Sequence, residues 1–189
     1  MNDPIAILTA DHRQVEQLFE RIEKAEGEER ARLVAELESS LRLHMDIEES
    51  IVYPIVASQV DEEDAEEANV EHDLAREGLD KLRQLLDQPG FGAALDMVKA
   101  GVHHHVEEEE GEIFPQLEGK LDDDKREELG DAVAEAKASG APKGERAESS
   151  DGSGDEPTKQ ELLEEARRRD IPGRSSMTKD ELQKALGQG

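Results

Sequence analysis

Apolar residues recur along the first part of the chain in alternating steps of three and four, the spacing that lays side chains along one face of an α-helix. In the first segment the run is Ile5, Leu8, His12, Val15, Phe19 and Ile22. Asp3 and Pro4 open it. Asp is a good N-cap, and Pro at the first helical position gives up an N–H that has no partner inside the helix. After a polar connection, Glu26 to Glu29, a second run reads Leu33, Leu37, Leu41, His44, Glu48, Ile51 and Ile55. An acidic stretch, Asp61 to Asp64, separates it from a third, Ala68, His72, Ala75, Leu79, Leu82 and Leu86, which Pro89 and Gly90 end. The fourth carries Phe91, Leu95, Val98, Val102, His105, Glu109, Ile113 and Gln116. Four amphipathic helices with short connections predict an all-α fold, an up-down-up-down four-helix bundle whose apolar faces meet. A weaker segment, Asp122 to Ala138, adds a possible fifth helix with Leu129, Val133 and Ala136 as its stripe.

Six polar residues interrupt these faces at positions where a leucine is expected: His12, His44, Glu48, His72, His105 and Glu109. They fall in a repeat. His44 to Pro54 (HMDIEESIVYP) and His105 to Pro115 (HVEEEEGEIFP) share a His, a Glu four residues later, a second Glu, an aliphatic residue, an aromatic and a closing Pro. A lone His precedes each, His12 by 32 residues and His72 by 33. Residues four apart share a helix face, so each HxxxE pair points the same way. The phase also chooses within His103, His104 and His105, because only His105 continues the seam; its neighbours are rotated by roughly 100° and 200° about the axis.

Burying two carboxylates in a core costs several kcal/mol unless each finds a cation. Two such Glu, each one turn from a His and repeated at the same spacing, predict a metal site. The chain has no Cys, which excludes disulfides, thiolate ligands and a cysteine nucleophile. Imidazole with carboxylate suits iron, manganese or zinc. Six donors exceed one tetrahedral zinc but suit two ions that share carboxylates and an oxo or hydroxo bridge. The other acids of the second copy, Glu107, Glu108, Glu110 and Glu112, read as a solvated face, with His103 and His104 at the rim.

With 49 acidic against 23 basic residues the net charge is -26, which disfavours nucleic acid and anionic membranes as partners for most of the surface. No apolar run approaches a membrane span and MNDPIAILTADH lacks the regions of a signal peptide, so a cytoplasmic location is expected. Composition changes after the fifth helix. The expected domains are a bundle over 1–138, a flexible Gly- and Ser-rich linker over 139–156, and a small module over 157–189. In the module, Thr158 with Glu161 and Thr178 with Glu181 form capping-box patterns around RRRDIPGRSS, which predicts helix, extended turn, helix. It holds seven basic and six acidic residues, net +1, which leaves -27 on the rest of the chain.

Residues 3 to about 120 resemble the hemerythrin HHE cation-binding domain, through the lone His, the HxxxE with its aromatic-Pro phrase, and their repetition. The resemblance implies a non-haem di-iron centre in a four-helix bundle. Glu48 and Glu109 would bridge two iron ions, His12, His44, His72 and His105 would cap them, and O2 or another small diatomic or peroxide ligand would take an open position. One departure is plain. Oxygen-carrying hemerythrins have an HxxxH pair on the third helix, whereas the residue four after His72 is Arg76, which leaves water, Glu77 or a nearby His to complete that ion. The departure points away from reversible O2 carriage and toward sensing or scavenging of oxygen, peroxide or nitric oxide, or iron handling. Two other classes stand beside this reading: a di-iron redox enzyme that removes peroxide or oxidises ferrous iron, and a non-catalytic adaptor. TKQELLEEARRRDIPGRSSMTKDEL resembles small SAP-like or Rho N-terminal-like motifs. Arg167, Arg168, Arg169, Arg174 and Lys179 are its phosphate-contact candidates, but it has no aromatic residue for base stacking, so a protein partner fits it better than nucleic acid.

Overall fold

The computed structural model describes residues 2–140, 169 and 179–187. The expected linker beyond Gly140, and the expected C-terminal module apart from Arg169 and 179–187, lie outside the described residues. The chain divides into two units, Met1–Arg146 and Ala147–Gly189. Among the described residues every regular element is helical, and no helix is long and apolar enough to cross a membrane.

Helix α1, Pro4–Lys24, starts as the sequence predicts: the Asp3 carboxylate accepts from the backbone N–H groups of Ile5 and Ala6. Helix α2, Gly27–Ile47, begins earlier than expected. Gly27 adopts φ 55, a left-handed conformation that costs glycine little, and Arg30 Nε donates to the Ala25 carbonyl at 2.8 Å. The expected connection Glu26 to Glu29 therefore shrinks, and Glu28 and Glu29 occupy the first turn of α2, where carboxylates complement the helix dipole.

Past Ile47 the helix widens into a π-helical turn, Glu48–Val52, then resumes as α3, Tyr53–Gln59. Pro54 stands just beyond this turn. An α-helix would need its N–H to reach the carbonyl four residues back, which Pro cannot supply; the preceding Tyr53 N–H bonds instead to the Glu48 carbonyl, five residues back. The extra residue advances the phase. Val52, Tyr53 and Val56 are buried, while Ile51 and Ile55, expected on the seam, are only half-buried.

Helix α4, Glu62–Gln84, corrects the expected acidic separator. Asp61 caps it through the Glu63 N–H at 2.8 Å, and Glu62, Glu63 and Asp64 are its first turn. Gly90, at φ 105, leads into α5, Phe91–Glu108. A second π-helical turn, Glu109–Ile113, again precedes a Pro, and α6, Phe114–Lys120, follows. Here Phe114 and Leu117 are buried and Gln116, expected inside, is exposed.

The four long helices pack in a ring: α1 against α2 and α5, and α4 against α2 and α5. Helix α7, Asp123–Ser139, packs on α1 and α2 and buries Leu129, Val133 and Ala136 as predicted. Gly130 faces the chain start so closely that a Cβ there would collide with the Asn2 carbonyl. In the second unit, α8 spans Lys179–Leu186, within the predicted second helix of the module.

Two apolar layers result. One contains Val15, Phe19, Leu41, Met45, Leu79 and Val102; the other contains Leu8, Ile47, Val52, Ala68, Ile113 and Phe114. On every one of the four helices the site His falls between a residue of one layer and a residue of the other. The polar cluster is thus a sheet of donors sealed between two hydrophobic slabs.

Candidate metal centre

All six residues marked by the sequence are buried: the four His are at most 7% exposed, and Glu48 and Glu109 are 0% exposed. The fold brings them together in two histidine pairs. His12 Nε2 lies 3.1 Å from His44 Nε2, and His72 Nε2 lies 3.0 Å from His105 Nε2. Each carboxylate reaches one member of each pair. Glu48 approaches His44 Nε2 at 3.1 Å and His72 Nε2 at 3.4 Å; Glu109 approaches His12 Nε2 at 3.3 Å and His105 Nε2 at 3.6 Å. His103 and His104 lie outside, their side chains 61% and 62% exposed.

The opposite ring nitrogen of each site His faces an outer carboxylate. His12 Nδ1 lies 2.8 Å from Glu110, His72 Nδ1 2.9 Å from Glu49, and His105 Nδ1 2.8 Å from Glu71; Asp11 approaches His44 Nδ1 at 3.5 Å. For His12, His72 and His105 the hydrogen-bonded carboxylate keeps the hydrogen on Nδ1, which leaves the Nε2 lone pair free and fixes the ring plane, whereas His44 Nδ1 is buried without a hydrogen-bond partner, with Asp11 near it. These acids follow the internal repeat. The acid just before each lone His serves the HxxxE His, and the acid just after each site Glu serves the lone His of the other half. Three are held in turn by cations: Glu110 by Arg13 at 2.6 Å, Glu49 by Arg76 at 2.6 Å, and Asp11 by Lys137. Glu71 instead meets the imidazole of His104 at 3.6 Å.

Glu110 therefore corrects the reading of that stretch as a solvated face, since it joins His12 to Arg13. Asp11, Glu49 and Glu71 were not singled out by sequence. Their signal was present as the second Glu of the repeat and as an acid before each lone His, but 49 acidic residues hide four. Arg76 turns away from the cluster toward Glu49, Asp46 at 2.9 Å and Asp73 at 3.7 Å. Glu77, offered by sequence as its substitute, is exposed.

Tyr53 reaches the cluster instead. Its hydroxyl donates to Glu109 Oε1 at 2.9 Å and stands 3.2 Å from His72 Nε2 and 3.4 Å from His105 Nε2. Its counterpart in the other half, Phe114, stacks on His12 with ring centroids 6.0 Å apart. One hydroxyl distinguishes the two halves, and it serves the His72 and His105 pair.

Electrostatics follow from this geometry. Burial opposes a charged imidazole, but Glu48, Asp11 and Glu109 outweigh it and raise His44 to about 10; for His72, Glu48 and Glu49 outweigh burial and raise it to about 9. Burial likewise opposes the Glu48 carboxylate, yet His44 and His72 hold it well below the usual range. Burial together with Glu48 and Glu109 pushes the Tyr53 phenol well above its ordinary value, so it remains a donor.

These residues fit a metal. Two Nε2 atoms about 3 Å apart need a proton or a cation between them. Both oxygens of Glu48 and Oε2 of Glu109 are buried without a hydrogen-bond partner, a cost that a cation removes. His12, His44, Glu48 and Glu109 converge as one potential ligand group and Glu48, His72 and His105 as another. With nitrogen and oxygen donors and no thiolate, the set suits iron, manganese or zinc.

Neither a curated protein nor a solved structure matches the chain. The model of the family described as the hemerythrin HHE cation binding domain matches residues 3–117, a span that begins at the cap of α1, ends in α6 and contains all six converging residues. The chain belongs to the hemerythrin HHE cation-binding domain family.

Proposed function

We propose that the protein is a cytoplasmic non-haem di-iron protein that binds or senses O2 or a reactive oxygen or nitrogen species, its ring of four helices serving as an up-down-up-down bundle of hemerythrin type. His12 and His44 would hold one iron, His72 and His105 the other, and Glu48 and Glu109 would be shared. The observation that carries this reading is that each buried carboxylate reaches one His of each pair, as ligands common to two ions must. Iron held this way supplies a redox-active Lewis acid with positions open to a small ligand.

The chain's own groups supply the rest. Asp11, Glu49, Glu71 and Glu110 orient the imidazoles, and Arg13, Arg76 and Lys137 hold three of these acids in place. With Arg76 engaged outward, the second pair gains no third imidazole. The donor facing it is the Tyr53 hydroxyl, which is set to hydrogen-bond a ligand there. This asymmetry favours sensing or scavenging over reversible carriage. The second reading is a redox enzyme that removes peroxide or oxidises ferrous iron, for which the Tyr53 hydroxyl, 3.2 Å from His72 Nε2 and 3.4 Å from His105 Nε2, would stand beside a bound peroxide as a hydrogen-bonding group.

Anaerobic loading with ferrous iron followed by air should give the absorption bands of a bridged di-iron centre. Glu48→Ala and Glu109→Ala should each abolish them; bands that survive in both variants would overturn the assignment. Turnover of peroxide or ferrous iron far beyond the iron present would select the enzyme reading.

A further inference from the structure

A cavity lies directly on the four site histidines, walled by Val15, Leu41, Met45, Ala75, Gly101 and Val102. The space open to the centre of a water-sized molecule is about 20 Å³, little more than one such molecule needs. Outside it, between α4 and α5, runs an apolar groove of about 520 Å³ bordered by Leu74, Ala75, Gly78, Met97, Val98 and Gly101. Leu74 and Met97 are 63% and 77% exposed there. The cavity and the groove share Ala75, Gly101, Val102 and Glu71, so two of the four residues of the partition between them carry no side chain beyond a methyl group.

A second groove, between α1 and α5, also borders the cavity, but it differs in two respects. Five charged residues line it, Arg13, Glu16, Lys99, Glu107 and Glu110, against three, Glu71, Glu77 and Lys81, in the first groove. Val102 borders both partitions, and beside it the second has the β-branched Val15 and Val106 where the first has Ala75 and Gly101.

We infer that small neutral diatomic molecules enter the centre from the α4–α5 groove through the thin partition at Ala75 and Gly101, with Gly101 as the residue that keeps this passage open. The inference rests on the di-iron reading for the destination and the ligand, and adds the route. An apolar approach costs a neutral diatomic nothing, whereas an ion would shed its hydration to cross it. The cavity then limits entry by size. A Cβ built on Gly101 meets nothing within 4 Å, so a side chain can be added there without strain to the helices, and its bulk lies where the passage is.

The test has two arms. In the first, nitric oxide binding to the anaerobic, ferrous-loaded full chain is followed by stopped flow. Gly101→Leu should slow association and dissociation together by roughly tenfold or more, with affinity and iron content unchanged, because a barrier on the path alters rates and not the equilibrium. Gly101→Ala should remain close to wild type. Unchanged rates in Gly101→Leu, or slowing only in His103→Phe on the other groove, would overturn the route.

The second arm needs no metal. Oxygen pressure applied to the metal-free protein should broaden the methyl resonance of the half-buried Ala75 on the route more than the ring signals of Phe19, which lines the other groove but not the cavity. The reverse pattern overturns the route. If iron fails to load while this broadening is seen, the di-iron reading fails and the passage stands.

Discussion

Metal binding to this site must displace protons, and the displacement can be worked out from the two histidine pairs. With a carboxylate beside every Nδ1, the short Nε2 to Nε2 distances of 3.1 and 3.0 Å mean that the metal-free protein holds one proton in each pair. The two groups with raised values, His44 at about 10 and His72 at about 9, belong to different pairs. Their folded values lie above the ordinary 6.5. The stability these protons give the metal-free fold is therefore complete below pH ~6.5 and is lost as pH rises through about 9 and then about 10. A metal competes with them. At pH 7 the proton on His44 costs roughly 4 kcal/mol to remove and that on His72 roughly 3 kcal/mol, at about 1.4 kcal/mol per pH unit. The affinity of each pair should rise about tenfold per pH unit from pH 7 until its own value is passed. Manganese or zinc, which avoids oxidation, can be titrated at pH 6.5, 7.5 and 8.5 against a competing chelator. Calorimetry in buffers of different ionisation enthalpy counts the protons. About one proton should leave for each ion bound. Affinity independent of pH over this range, with no proton released, would refute both the pairing of the histidines and the assignment of their Nδ1 hydrogens.

The other predictions concern single side chains. Glu49→Ala and Glu110→Ala, which free the Nδ1 of His72 and His12, should each weaken metal binding by about 10- to 100-fold while the fold is kept, as chelator competition will show; an unaltered affinity would return Glu110 to the solvated face. Tyr53→Phe removes the donor to Glu109 Oε1 and should destabilise the metal-free protein by ~1–3 kcal/mol in denaturant melts, whereas Phe114→Leu, which leaves every site hydrogen bond in place, should leave the di-iron absorption envelope unchanged. Gly130→Ala should cost about 1–3 kcal/mol by overpacking against the chain start, with no change in metal affinity, since the collision with Asn2 lies outside the donor cluster.

How far the sequence could be read depended on which physical rule governed each stretch. Up to Glu48 and Glu109 the helices are ordinary α-helices, so the seam of threes and fours placed Leu8, Val15, Leu37, His44 and His105 on the correct face. It also selected His105 from its two exposed neighbours. Beyond those residues the rule fails, because the π-helical turns ahead of Pro54 and Pro115 shift the phase. Ile51, Ile55 and Gln116 were misplaced for this reason, and Val52, Val56 and Leu117 took their places inside. The Pro residues were visible, but they read as the end of a phrase and not as the sign of a changed helical period.

The acids beside each Nδ1 were hidden in another way. A half-buried Glu such as Glu49 or Glu110 carries no mark of its own in a chain with so many carboxylates, and only pairing across the repeat reveals it. Tyr53 was legible as the aromatic of the repeat, yet its hydroxyl matters only once the fold places it against Glu109 and the second histidine pair. The acidic connections expected before α4 and within the α1–α2 turn were helix starts, for which capping and the dipole were the better guides.

The central claim is that two ions share this centre, one to each histidine pair. Iron and protein quantified on the same sample, after anaerobic ferrous loading and removal of unbound metal, test it most directly. The account predicts about two irons per chain, one for each pair of imidazoles; a value of one or fewer that does not rise with excess iron would contradict it.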